Sequence, residues 1–203
     1  MDSGRKLEAS LDNPFDDLYI RFGATLEPGF YALGFTPNTL TGFSALFGVA
    51  AIGALYHDRF LLAAVLYFIS YLFDCFDGHY ARAYGMVSEF GDWFDHIKDV
   101  VVTTGLLLAL VCNAVLSWKF KVVTLGVYAV LFCIGVVVLG CQEVYYQTTS
   151  GVSKDEHSAS LGPFKALCQE NSLERLRQLR WFGVGTATTV FCVMLAAGDA
   201  YSP

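Results

Sequence analysis

Residues 74–99 read DCFDGHYARAYGMVSEFGDWFDHIKD, and this stretch decides the fold because it sets four carboxylates between strongly apolar segments. Asp74 and Asp77 are three residues apart and Asp95 and Asp99 four apart, so on helices of about 3.6 residues per turn each pair shares one face. Two such faces turned toward each other make a four-carboxylate cluster. It repels itself unless protons or cations sit in it, and an all-oxygen donor set of this kind suits Mg²⁺, Mn²⁺ or Ca²⁺ rather than zinc. Gly78 and Gly91 remove side chains beside the acids, which lets a backbone or ligand come close. Arg82 brings a fork of donors suited to phosphate oxygens, or else is an arginine at a membrane boundary.

On either side of the stretch the chain reads as membrane helices. It has 203 residues, 55% of them hydrophobic and 16% charged, and its mean hydropathy of +0.48 is too high for an ordinary soluble domain. The apolar runs give an all-α polytopic bundle: a span from Pro37 to about Tyr56, a second from Phe60 through Asp74 and Asp77, a third from about Asp95 through Leu116, a fourth from Val122 to about Cys141, and a fifth over Trp181 to Ala197. Ahead of them, Asn13 and Pro14 mark a helix start. Phe15, Leu18, Tyr19, Phe22 and Leu26 then recur at helical spacing, so an amphipathic helix is expected on the membrane surface over 13–34, broken at Glu27-Pro28-Gly29. The packed alternative is a short soluble helix. Residues 1–12 read as a polar, mobile end without the apolar core of a secretory signal, leaving the first span to direct insertion. The 143–178 segment reads as a cytosolic loop containing a short surface helix, within one domain covering 1–203. A net charge of −6 and scattered basic residues give no surface for nucleic acid. The six cysteines lie mostly in apolar runs without metal-ligand spacing and read as buried free thiols.

Ten of the thirteen lysines and arginines fall on one side of this topology. That puts the N-terminus, the acidic cluster and the 143–178 loop on the cytosolic side of a multi-pass protein. His79 and His96 sit off the carboxylate faces and read as supporting or surface groups rather than ligands. Gln142, Glu143 and Lys98 are contacts to a substrate or simply interfacial polar residues, with nothing to separate the two.

Letter by letter, Asp74, Asp77, Gly78, Ala81, Arg82, Gly91, Asp95 and Asp99 spell Asp-x2-Asp-Gly-x2-Ala-Arg-x8-Gly-x3-Asp-x3-Asp. This resembles the CDP-alcohol phosphotransferase (phosphatidyltransferase) family over roughly residues 37–142, with no departure among the eight positions. The resemblance implies about six spans, a site holding Mg²⁺ or Mn²⁺, usually as two ions, on Asp74, Asp77, Asp95 and Asp99, and Asp99 as the base toward the attacking alcohol. It also implies that Asn38 and Thr41, after Thr36-Pro37, line the nucleotide pocket with Gly78, Ala81, Arg82 and Gly91; the local alternative is that Asn38 and Thr41 only cap and start a helix. The implied partners are a CDP-linked donor, a hydroxyl acceptor and membrane lipids, and family members often dimerise. The short chain is similar to the phosphatidyltransferases that use CDP-diacylglycerol and a small polar alcohol. Thr41-Gly42 and His96 are similar to the choline and ethanolamine enzymes, which use CDP-aminoalcohols and diacylglycerol. Two readings of other classes are an Asp-rich prenyltransferase, whose paired motifs sit farther apart, and a non-enzymatic cation carrier.

Overall fold

The computed structural model describes residues 4–149, 165, 166, 168 and 172–201, and all regular structure among them is helical. α1 spans Pro14–Ala32, α2 Pro37–Tyr56, α3 Phe60–Ala83, α4 Glu89–Cys112, α5 Trp118–Thr149, α6 Ser172–Leu179 and α7 Val184–Ala197, with short 3₁₀ turns at Arg180–Phe182 and Gly198–Tyr201. Four stretches are long and apolar enough to cross a bilayer: Pro37–Tyr56, Phe60–Ala83, Trp118–Thr149 and Ser172–Tyr201. The expected third span, α4, is long enough at 24 residues, but Asp95, Lys98 and Asp99 interrupt its apolar run. It still turns Ile97, Val100, Val101, Leu108 and Val111 outward.

The core lies where α2, α3, α4 and α7 meet, around Leu55, Phe60, Ala63, Leu106, Leu110 and Leu195, all fully or almost fully buried. Small residues set the spacing of this bundle. A Cβ on Gly48 would fall 2.7 Å from both γ-carbons of Val102, so α2 and α4 approach through a position without a side chain. At the end remote from the acids, Asp58 takes a left-handed conformation (φ 59°) between α2 and α3. Its carboxylate accepts a 2.7 Å hydrogen bond from Asn113 Nδ2 after α4, tying two helix ends together.

The α1 start follows the expected chemistry. Asn13 Oδ1 accepts from the Phe15 amide at 3.0 Å, and Pro14 takes the first helical position. The same Asn13 is buried, and its Nδ2 donates to the Arg180 carbonyl (2.6 Å) and to Thr186 Oγ1 (2.8 Å), pinning α1 to the start of α7. Leu18, Phe22 and Leu26 face outward while Tyr19, Gly23 and Glu27 face the bundle, so the expected apolar face is divided: Tyr19 turns inward beside the buried Glu27. It does not break at Glu27-Pro28-Gly29. It continues to Ala32 with the exposed Pro28 inside it: one proline removes a single helical hydrogen bond, and the buried Glu27, bonded to His79, and the partly buried Phe30 anchor the turns on either side.

Three further expectations are corrected. Gly4–Asp12 is not a free end: Leu7 and Leu11 are buried, Arg5 pairs with Asp17 at 2.7 Å, and Lys6 Nζ meets the fully buried Glu143 at 2.6 Å. The segment expected to be a loop from 143 opens with further α5 helix to Thr149; its expected short helix is α6, and 153–160 lies outside the described residues. The cysteines are not all buried thiols. Cys141 and Cys168 form a disulfide, Cys112 and Cys133 are exposed, and only Cys192 is a buried free thiol, with Cys75 partly buried. An apolar run does not imply burial in protein here, since the hydrocarbon of the bilayer is itself an apolar surrounding.

Candidate active site

The acidic stretch folds as helix, turn, helix. α3 carries Asp74 and Asp77 to its end at Ala83, the Met86 amide donates to the Ala81 carbonyl at 2.7 Å, and Gly85 takes the positive φ (65°) that reverses the chain. Ser88 then caps α4, its Oγ accepting from the Gly91 amide at 3.1 Å. The two acid-bearing helices both pack against α2, and their acids meet at one end of the bundle. Asp74, Asp95 and Asp99 each offer a carboxylate oxygen within 4.8 Å of the other two. A hard cation with oxygen ligands at about 2.0–2.6 Å can bridge such a span, so this donor set fits the Mg²⁺ or Mn²⁺ expected of it.

Asp77 is placed differently. All four acids are expected at the metal; Asp74, Asp95 and Asp99 form the close group, and the buried Asp77 accepts a 2.6 Å hydrogen bond from Thr41 Oγ1. Helical spacing puts Asp74 and Asp77 on one face, but α2 packs against α3 there and offers a hydroxyl to only one of them. Asp99 is the most open of the acids, with its side chain half exposed.

The residues expected around a nucleotide gather at the same end of the bundle. Thr36 and Thr39 cap α2 reciprocally, and Pro37 takes its first position. This brings Asn38 to α4: a Cβ on Gly91 would lie 3.0 Å from Asn38 Oδ1 and 3.0 Å from Ser88 Oγ. Arg82 lies along Gly78, its Nη1 3.4 Å from where a Cβ there would be, and its Nε donates to the Gly4 carbonyl at 2.8 Å. His79 Nδ1 meets Glu27 Oε1 at 2.6 Å in the interior, and His96 Nδ1 lies 3.0 Å from the Asp92 carbonyl of its own helix. Neither histidine belongs to the group of three acids.

Two features were not legible in the sequence. Lys98 is almost completely buried, its Nζ bonded to Asp74, 3.0 Å from Asp95, 2.8 Å from Asp99 and 3.1 Å from Ser44 Oγ. Its position between two acids on one helix was the available signal. The other is the N-terminal segment, which lays Gly4, Arg5 and Lys6 over the ends of α3, α1 and α5. Nearby, Asp16 of α1 sits at the edge of the bundle, where burial, opposed by a 2.7 Å hydrogen bond from Tyr71, pushes its carboxyl up to about 7.

An all-helical bundle apolar enough to cross a membrane, with acids of α3 and α4 converging on one point, fits a membrane enzyme that works through a hard cation. The CDP-alcohol phosphatidyltransferase family model matches residues 35–196, and the chain belongs to that family. It is 32% identical over 113 residues to an archaetidylinositol phosphate synthase of Pyrococcus horikoshii, covering 55% of this chain and 58% of the relative. It is 35% identical over 98 residues to a bifunctional IPC transferase and DIPP synthase of Aquifex aeolicus, covering 48% and 22%. A CDP-diacylglycerol–glycerol-3-phosphate 3-phosphatidyltransferase of Mycoplasma genitalium is 33% identical over 82 residues, covering 40% and 35%. The alignments thus span under two thirds of each of these relatives' lengths. No solved structure matches the chain significantly.

Proposed function

We propose that this protein transfers a phosphatidyl-type group from a CDP-linked lipid, CDP-diacylglycerol above all, to the hydroxyl of a small polar alcohol, releasing CMP. The observation that carries this reading is the convergence of Asp74, Asp95 and Asp99 between α3 and α4. The Mycoplasma genitalium relative is by name an enzyme with CDP-diacylglycerol as donor and glycerol 3-phosphate as acceptor, which favours this reading over the choline and ethanolamine type.

In this reading Asp74, Asp95 and Asp99 hold the divalent metal, with Asp77 fixed behind them by Thr41. When bound, the metal neutralises charge on the donor's diphosphate. Asn38, Thr41, Gly78, Ala81, Arg82 and Gly91 form the nucleotide end of the pocket, the glycines admitting the ligand and Arg82 facing its phosphates. The acceptor oxygen attacks the phosphorus bearing the lipid, the bond from that phosphorus to the bridging oxygen breaks, and CMP departs with that oxygen. The hydroxyl proton passes to an Asp99 carboxylate oxygen, the acid most open to an entering alcohol. α4 crosses the bilayer as a fifth span, its charged first half lining the site.

The basic asymmetry favours a cytosolic site. On a background keeping Cys141 and Cys168 but lacking the other cysteines, a Ser88→Cys chain should be labelled from the cytosol and a Ser117→Cys chain from the opposite side; the reverse pattern inverts the orientation. The reaction is tested by following CMP release from purified protein with Mg²⁺, comparing CDP-diacylglycerol with CDP-choline over a panel of alcohols. No CMP from CDP-diacylglycerol with any acceptor would refute it.

A further inference from the structure

Arg82 stands in the last turn of α3, partly buried, and the group that meets its guanidinium comes from the far N-terminal end of the chain. We propose that the Gly4 carbonyl is a positioning group for the donor's diphosphate: the segment Gly4–Asp12 forms a wall of the nucleotide site and aims Arg82 into it. The inference rests on the nucleotide-end reading above and deepens it.

The arginine itself comes first. Among the described residues its guanidinium makes one hydrogen bond, from Nε to the Gly4 carbonyl at 2.8 Å, and no ion pair. Arginine carries its N–H donors on a rigid plane, so one acceptor on Nε fixes that plane and leaves Nη1 and Nη2, the fork that meets two phosphate oxygens at once. Gly78, one turn earlier, makes room for the group: Nη1 and Nη2 lie 3.4 and 3.7 Å from where a Cβ on Gly78 would be. The head of a long, flexible side chain is thereby held before a ligand arrives, and less rotamer freedom is left to lose on binding.

How closely the segment approaches is the second argument. A Cβ on Gly4 would fall 2.7 Å from the His79 carbonyl and 2.8 Å from both Cε1 and Nε2 of its ring, so it takes a glycine to bring the backbone down between His79 and Arg82. His79 has little room to yield, being 2% exposed and 2.6 Å from the buried Glu27. Beyond Gly4 the segment is anchored on other helices. Arg5 meets Asp17 of α1, Lys6 meets Glu143 of α5, Leu7 joins the buried cluster of Val138, Cys141 and Leu176, and Arg180 donates to the Ser10 carbonyl. These anchors give the Gly4 carbonyl a fixed place although it belongs to no helix. Covering apolar surface would require Leu7 and Leu11, but not a glycine pressed onto His79 with its carbonyl turned to an arginine.

The kind of acceptor matters as well. A carbonyl orients the guanidinium without neutralising it, whereas a carboxylate on Nε would compete with the phosphates for the same charge. Arginine stays protonated throughout the working pH range, so the charge presented to the donor is constant.

A double-mutant cycle on purified full-length protein in detergent tests this. Binding of CDP-diacylglycerol with Mg²⁺ is measured by filtration, and KM and kcat by CMP release. Gly4→Ala should weaken binding and raise KM by about 10-fold, the scale of a hydrogen bond to a charged group, while kcat changes by less than about twofold. In an Arg82→Met background, which has no donor for the carbonyl, the same substitution should change binding by less than about twofold. Unchanged binding in Gly4→Ala would overturn the proposal, as would an equal loss in the Arg82→Met background, which would make the segment an anchor only. Leu7→Ala loosens the segment without touching Gly4 or any charge; it serves in the same cycle, with the same expectations, if Gly4→Ala fails to fold. Wild-type protein that binds the donor yet releases no CMP would remove the proposed reaction while the binding cycle still decides this assignment. Wild-type protein that binds no CDP-diacylglycerol would overturn both.

Discussion

Replacing Lys6 with methionine tests whether the N-terminal segment belongs to the fold. Glu143 on α5 has no accessible side-chain surface and meets Lys6 Nζ at 2.6 Å; its other neighbours are Gln147 Nε2 at 2.9 Å and Lys165 Nζ at 3.9 Å. Removing one partner of a buried ion pair costs about 3–5 kcal/mol, because the remaining charge stays buried. Two features reduce that figure here. Lys6 keeps 23% of its side-chain surface, so part of its solvation is retained in the fold, and Gln147 and Lys165 still face the remaining carboxylate. A loss of about 2–3 kcal/mol is expected, or a fall in melting temperature of roughly 5–10 °C for a chain of this size. Thermal unfolding in detergent, followed by tryptophan fluorescence, measures it. Amide exchange over residues 4–12 should rise in the same variant, and adding Glu143→Gln should recover part of the lost stability, since the buried charge is then gone. A Lys6→Met chain melting within about 1 °C of wild type, with unchanged exchange at 4–12, would refute the reasoning and return this segment to the mobile end its sequence predicts.

Other outcomes follow from the same geometry. Asp99→Asn keeps the shape of the acid but cannot take a proton, so CMP formation should fall about 10²- to 10⁴-fold while binding of the CDP-linked donor, measured by filtration with Mg²⁺, changes much less; equal losses in both would make Asp99 chiefly a metal ligand. Reducing the Cys141–Cys168 bond frees a loop with a sequence separation of 27, for which the chain-entropy relation gives about 3.5 kcal/mol, and a melting temperature unmoved by reductant would contradict that. Asp16 is protonated in the fold up to about pH 7 but ionises near 3.8 when unfolded. The folded state therefore binds the extra proton between those values, and stability should fall as pH rises through this window, by up to about 1.4 kcal/mol per pH unit. Asp16→Asn should flatten that slope in melts at pH 5 and 7.5, and an unchanged slope would assign it to another group.

How far the sequence reaches depends on whether a property is local. Residues 74–99 alone determine that two helices follow one another across a short turn with the acids near it, because helical periodicity, the Ser88 cap and the Gly85 turn lie within the stretch. The Asn13-Pro14 and Thr36-Pro37 starts and the apolar runs are legible for the same reason. Only packing decides which acids meet. Asp77 shares a face with Asp74 and bonds Thr41 of α2, while Asp99 completes the close group with Asp74 and Asp95. Lys98 reads as an ordinary interfacial lysine until Ser44 and Asp74, 54 and 24 residues away in the chain, close around its ammonium. Lys6 and Glu143 stand 137 positions apart, and Cys141 and Cys168 are joined across 27. Their pairing depends on where helices end in space, and no local pattern encodes that, since each residue alone satisfies its surroundings equally well as a solvated charge or a thiol facing lipid.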